Sequence, residues 1–425
     1  MDKKTYSRVG EALWHTRLDN GLHIYVDVKP DFQKSYAFFA TNYGGMDTRF
    51  QLGGQWQDTP AGVAHFLEHK MFDTQDGNAL QDLAANGASP NAFTSSAITG
   101  YYFESTEKFE ENLKILLSFV SIPWFTQESV DKEQGIIGQE IQMIEDDPMW
   151  QAFMNLLAGL YASNPIRISV AGSRESISHI TADTLYACHK AFYHPANMVL
   201  CVAGNVNPQR VAELAREILP AQGGEEIVRD YGAPEPEHAA QPLRELNMEV
   251  SAPIFQLGFK ADPAPMGQER LRQQLIGELV GEVLAGASSP LYADLYDRGL
   301  INKNFGVGYE AYPGCAFLAA GGESRDPEAV RDAVLAEAER LGRSGIDASL
   351  FARLKKAAYG SRVRALNSFE HICVQQAQAH FDGADYLDFP AVFDTISQQD
   401  VEGALRRWCT SERACLAVVR PKGAL

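Results

Sequence analysis

Ala61-Gly62-Val63-Ala64-His65-Phe66-Leu67-Glu68-His69-Lys70-Met71-Phe72 is the stretch from which the rest of this chain is best read. It has a helical pattern, and on a helix positions i and i+4 share a face. His65 and His69 therefore present two imidazoles to one metal ion. Glu68 follows His65 by three residues and lies beside that face. Zinc acidifies water, and a nearby carboxylate takes the proton as the water attacks a carbonyl. The isolated histidines His15, His179, His189, His238, His371 and His380 show no such pattern and read as surface or hydrogen-bonded core residues.

A catalytic zinc takes three protein ligands and keeps one position open. The third ligand must come from a second element. Asp131-Lys132-Glu133-Gln134-Gly135-Ile136-Ile137-Gly138-Gln139-Glu140-Ile141-Gln142-Met143-Ile144 offers Glu133 and Glu140, which lie two turns apart on one helical face. Ile136, Ile137, Ile141 and Ile144 give this helix an apolar stripe for packing. Spacing leaves both carboxylates open as the third ligand.

Further out, residues 221–244 (AQGGEEIVRDYGAPEPEHAAQPLR) are poor in apolar residues and rich in Pro and Gly, the composition of a linker. It separates residues 1–220 from residues 245–425. Each part opens on strand material, at His23–Val28 and at Phe255–Phe259. Helical patterns follow, at 63–72 and 128–145 in the first part and at 271–284 and 347–366 in the second. Each closes on a β-like run, Met198–Gly204 and Ala414–Val419. An α+β fold built from two halves of similar topology is expected.

The chain has 425 residues, enough for two or three domains, and 45% hydrophobic with 22% charged residues describes a globular protein with a sizeable core. A formal net charge of −18 argues against nucleic acid as a partner. No apolar run reaches the roughly 18 residues that span a bilayer. The start, Met1 to Arg8, has no apolar stretch after its lysines and does not read as a secretory signal, so a cytoplasmic protein is expected. Six cysteines without Cys-x-x-Cys spacing read as buried thiols.

His65-x-x-Glu68-His69, followed later by Glu133 and Glu140, resembles the pitrilysin/insulinase family of metallopeptidases, which includes mitochondrial processing peptidase. Gly87 to Thr94 with Tyr101-Tyr102-Phe103 resembles the family's strand after the zinc helix. Glu145-Asp146-Asp147-Pro148, and Phe192 to Met198 with Val202 to Val206, match further family segments. The likeness covers most of residues 20–210 and, loosely, residues 245–425. The run His-Phe-Leu-Glu-His-Lys-Met-Phe is most similar to the short bacterial two-subunit type.

The resemblance implies two homologous α/β halves, each a mainly antiparallel sheet with helices on one face. It implies one zinc (Zn2+) per chain on His65, His69 and Glu140, with Glu68 as general base and Glu133 orienting a ligand histidine. Asn91 and Ala92 match the edge strand that pairs with an extended peptide. The implied activity is endopeptidase cleavage of peptides or unfolded segments in an enclosed chamber. In one place the sequence departs from the pattern. Active members carry an Arg and a Tyr in the second half, but in Ser288 to Asn302 the Arg position holds Tyr296, and only Arg298 and the displaced Tyr309 are nearby. Lys355 and Arg362 stand at the places corresponding to Glu133 and Glu140. The implied partner is a homologous subunit that lacks His-x-x-Glu-His and supplies the Arg/Tyr pair in a heterodimer. The alternative is a non-catalytic assembly or binding subunit, a class marked by loss of a ligand or of Glu68. All four positions are intact here.

Overall fold

The computed structural model describes residues 1–423, which form two compact units. The first unit comprises Met1–Ile141, Ser169–Asp230 and Val363–Asp388; the second comprises Gln142–Ile168, Tyr231–Arg362 and the chain from Phe389 onward.

The first unit contains β1 (Asp2–Tyr6), β2 (Glu11–Arg17), β3 (His23–Val28), β4 (Ser35–Thr41) and two small hairpins, β5 (Arg49–Leu52) with β6 (Gln55–Asp58) and β7 (Asp73–Thr74) with β8 (Gly77–Asn78). It continues with β9 (Ser89–Thr94), β10 (Thr99–Ser105) and β11 (Met198–Gly204). Seven of these strands make one sheet in the order β1-β2-β3-β11-β4-β10-β9, antiparallel except between β3 and β11. In the second unit β12 (Leu243–Met248), β13 (Ile254–Ala261), β14 (Gly306–Tyr312), β15 (Cys315–Glu323) and β16 (Ala414–Pro421) pair in the order β12-β16-β13-β15-β14. There only β12 and β16 run parallel. The series β3-β11-β4-β10-β9 thus recurs strand for strand, which makes the fold two mainly antiparallel α/β units of similar topology.

The units are not consecutive pieces of sequence. Helix Pro148–Leu160 lies in the second unit and buries Ala152, Leu156, Leu157 and Leu160. Leu156 packs over Gly258 of β13 so closely that a Cβ there would be 2.8 Å from its Cδ1. Helix Phe369–Phe381 lies in the first unit, where Phe369, Cys373 and Ala377 join Phe38, Val199 and Cys201 of β4 and β11 in one cluster. Each unit therefore receives a helix from the other half's sequence, a reciprocal exchange that a cut at 221–244 does not describe. Residues within that supposed linker are themselves tied down. Gln51 N donates to Val228 O at 2.9 Å, and Asp230 N to Arg49 O at 3.0 Å. β1 and β2 also precede the first strand expected from sequence; β1 carries Asp2, Lys3 and Lys4 on an exposed edge and has no apolar alternation to reveal it. All six cysteines are buried and free. Among the described residues no helix is long and apolar enough to cross a membrane.

The exchanged helix meets the first sheet through histidines. His15 Nε2 and His23 Nδ1 are 3.0 Å apart, and the His380 ring lies 4.5 Å from that of His23. His380 Nδ1 also lies 3.2 Å from Tyr25 Oη. Burial, reinforced by the neighbouring histidines, pushes His23 down to about 4 and His380 to about 3. His15 is also lowered by burial, against the opposing pull of Asp385 and Asp2. A folded value below the ordinary 6.5 means that the stability these groups confer is present above pH 6.5 and is lost as pH falls toward the folded values. The thermal midpoint is expected to drop between pH 6.5 and about 4, and less steeply in His380→Gln. Parallel pH profiles for the two proteins would show that the histidine cluster is not the acid-sensitive element.

Candidate metal centre

The motif helix, Val63–Met71, starts at Gly62, whose φ of 96° is left-handed. A Cβ at Gly62 would stand 2.7 Å from Ala171 O, and one at Gly172 would stand 2.4 Å from Ala61 O. Two glycines thus let two backbone segments press together, and Ser176 Oγ donates to Ala61 O at 2.8 Å to hold them. This sets where the helix begins. Val63, Phe66, Leu67 and Met71 bury its apolar side. The second helix, Gln127–Glu145, is packed by Val130, Ile137 and Ile141. Ile136, assigned from sequence to the apolar stripe, is instead 50% exposed. It lies 100° around the helix from Ile137, on the side of Glu140.

These two helices bring His65, His69 and Glu140 together, with one donor atom from each within 4.8 Å of the others. His65 Nε2 is 3.5 Å from Glu140 Oε1, and His69 Nε2 is 3.4 Å from Glu140 Oε2. The imidazole planes are 64° apart with centroids at 4.6 Å. Glu133 does not share this role: its Oε1 lies 3.2 Å from His69 Nδ1, on the far side of the ring. Two further residues were not assigned from sequence. Lys70, 1% exposed, pairs with Asp73 and stands 3.9 Å from Glu133 Oε2. Thr94 Oγ1, on β9, donates to Glu68 Oε2 at 3.1 Å. Thr94 stands two residues beyond Ala92, but no local pattern distinguishes it from other strand threonines.

The charges explain one another. Burial pulls the His69 imidazole down, but its bonds to Glu133 and Glu140 outweigh burial and hold it at about 10. The same bonds to His65 and His69 hold Glu140 well below the usual carboxylate range. Burial raises Glu68, opposed by the two histidines and by Thr94. Three carboxylates around two imidazoles favour positive charge at their centre. Two imidazole nitrogens and one carboxylate oxygen are the donor set of a catalytic zinc that keeps one position open. The residues fit that ion.

Among the described residues no other group of three such donors converges. In the second unit, Lys355 Nζ donates to Ile396 O at 2.6 Å, and Arg362 Nε pairs with Glu278 at 3.2 Å. Tyr309 is a core residue, accepting from Gln273 Nε2 at 2.9 Å and stacking on Trp408. Arg298 is exposed in an ion pair with Asp294. Asn91 and Ala92 lie on β9, the edge strand of the first sheet; Asn91 is exposed, and its Oδ1 accepts from Ala92 N at 2.9 Å.

Residues 53–174 match the family described as insulinase, peptidase family M16, and residues 179–358 match peptidase M16 inactive domain. The chain is similar to YmfH, an uncharacterized zinc protease of Bacillus subtilis, with 38% identity over 98% of each chain. It is similar in structure to an M16-like peptidase from Alicyclobacillus acidocaldarius, with a TM-score of 0.93 and 31% identity over 97% of this chain and 99% of that one. A peptidase M16 inactive domain from Pseudomonas fluorescens shares the fold, with a TM-score of 0.81 and 15% identity over 97% and 98% of the two chains.

Metal analysis of the purified protein is expected to give about one zinc per chain, and His65→Ala, His69→Ala and Glu140→Gln should each lose most of it. Glu133→Gln should weaken binding by roughly 10–100-fold without abolishing it, because it touches only the far nitrogen of His69. Full zinc content in Glu140→Gln, or none in Glu133→Gln, would reverse the two roles.

Proposed function

The chain belongs to the M16, or insulinase, family of peptidases, and on that premise we propose that it is a zinc-dependent endopeptidase acting on peptides or unfolded segments. The observation that carries this reading is the convergence of His65, His69 and Glu140, with Glu68 intact beside them. His65, His69 and Glu140 would hold one zinc. When bound, the ion lowers the pKa of water toward neutrality and polarises a carbonyl.

The chain's own residues would do the rest. Glu133 holds His69 by its Nδ1, which fixes the ring so that Nε2 faces the centre, and Lys70 balances the charge of Glu133. Glu68 takes the proton of the attacking water and passes it to the leaving amine. Its burial makes it a stronger base than an exposed carboxylate, and Thr94 fixes one of its oxygens so that the other is free for the proton. The edge strand β9 takes an extended peptide by main-chain pairing, with Asn91 and Ala92 at the line of contact. Ala92 N–H donates to the Asn91 side chain at 2.9 Å.

Catalysis also needs donors aimed at the oxyanion. Tyr309 is engaged within its own core and Arg298 with Asp294, and neither is free for that task. We therefore propose that the chain works as the catalytic subunit of a heterodimer with a homologous M16 subunit, which lacks the histidine motif and supplies an Arg/Tyr pair. Its short bacterial-type motif, His-Phe-Leu-Glu-His-Lys-Met-Phe, supports this.

Glu68→Gln is expected to retain zinc and to lose peptide cleavage by about a hundredfold to ten-thousandfold, measured with the partner present. Near-normal turnover by this variant would remove Glu68 from the mechanism. The isolated chain should be inactive or slow, and adding the homologous subunit should restore turnover unless that subunit's Arg and Tyr are replaced. Zinc binding without cleavage under any pairing would favour a non-catalytic assembly subunit.

A further inference from the structure

In the second unit, a cleft of about 520 Å³ lies where the turn after helix Pro148–Leu160 meets the residues leading into β12. Two arginines line it. Arg167 Nη1 donates to Ala162 O at 2.7 Å. Arg244 donates from Nε to Asn155 Oδ1 at 3.2 Å and from Nη1 to Gln241 Oε1 at 2.9 Å. All three acceptors are neutral, so both guanidiniums are positioned while their charges remain unbalanced. A guanidinium has five N–H groups in a planar fork, and these bonds use only one in Arg167 and two in Arg244.

Among the described residues no Asp or Glu lines the cleft, although the chain has 55 acidic against 37 basic residues. Glu235 reaches the same turn but is fully engaged. It accepts from the N–H groups of Ala162, Ser163 and Asn164 at 3.0, 2.6 and 2.7 Å and pairs with Lys260 at 2.9 Å. The remaining wall is largely apolar: Tyr161, and Ile168, which is 39% exposed.

We propose that this cleft binds a peptide carboxylate between Arg167 and Arg244, with the adjoining apolar side chain against Ile168. The fork of a guanidinium matches the two oxygens of a carboxylate, and such charge-assisted pairs are stronger than neutral hydrogen bonds. The carboxylate comes either from the peptide's C-terminus or from an acidic side chain; the chemistry is shared and the test separates the two. That the ligand is a peptide rests on the peptidase reading, whereas binding is measured without cleavage.

The test uses the full chain carrying Glu68→Gln, so that bound peptide is not cut. Three fluorescein-labelled decapeptides end in leucine: one with a free C-terminus, one of the same sequence amidated, and one amidated in which Glu replaces the residue before the leucine. Fluorescence anisotropy should show the free acid, the Glu peptide or both binding at least about tenfold tighter than the plain amide. Preference for the free acid assigns the chain end, and preference for the Glu peptide assigns the side chain. Arg167→Gln and Arg244→Gln should each remove the preference while zinc content is unchanged. Equal binding of all three peptides, or a preference that survives both substitutions, would overturn the proposal. If Arg244→Gln lowers the melting midpoint, Arg167→Gln decides alone, because its side chain bonds a single carbonyl. An absence of cleavage by the unmodified chain paired with its homologous subunit would count against the peptidase reading and leave this comparison standing.

Discussion

Glu140 has to face two imidazoles at once, and this requirement organises the first unit. Its two oxygens lie 3.5 and 3.4 Å from the Nε2 atoms of His65 and His69. That geometry needs the motif helix and Gln127–Glu145 to meet at a fixed depth, because a carboxylate on a helix has little reach of its own. Around the imidazoles stand Glu68, Glu133 and Glu140, with buried Lys70 opposing them beside Glu133. Like charges at such short range in a partly buried site repel strongly unless a cation lies among them. The site therefore favours a divalent ion through its net charge as well as through its donor atoms.

The depth at which the helices meet is set from outside the site. The motif helix begins where residues 61–62 press against residues 171–172, a backbone approach that side chains would prevent. Behind Glu68, Thr94 belongs to β9, which is held by β10, itself paired along its whole length with β4. The edge strand proposed to hold a peptide is therefore the same strand that bonds Glu68, the proposed base. A shift of β9 would move substrate and proton acceptor together.

Much of this site was legible because both helices repeat at intervals a helix must obey. His65 and His69 at i, i+4 and Glu133 and Glu140 at i, i+7 define faces without any tertiary knowledge. Spacing could not choose between the two glutamates, because both lie on the same face. Only the packing angle between helices sends one carboxylate to the Nε2 side and the other to Nδ1. β3, β11, β13 and β16 were visible as apolar runs, while β1 and β2 were hidden by charge on an exposed edge. The exchanged helices were not legible at all. An amphipathic helix such as Pro148–Leu160 announces that it needs a sheet but not which one. The choice was made by Gly258, where a missing side chain admits Leu156 and Leu160.

The duplication also bears on the second unit, where among the described residues no group of three His, Cys, Asp or Glu donors converges. Apart from the two small hairpins, the order from β3 onward repeats from β12 onward: two strands, two helices, two strands and three helices, with the third helix exchanged. In this series helix Gln268–Ala285 corresponds to the motif helix, and Ala348–Ala365 to the helix of Glu133 and Glu140. Lys355 and Arg362 carry the opposite charge at the two matched positions, and Arg362 closes on Glu278 of the neighbouring helix. An ion pair thus joins the two helices that a metal would join in the first unit. It links them without an ion and leaves no set of lone pairs for one. Reversing the charge at these positions keeps the helix–helix contact but supplies no converging donors, so one topology carries a candidate metal site in one half and an ion pair in the other.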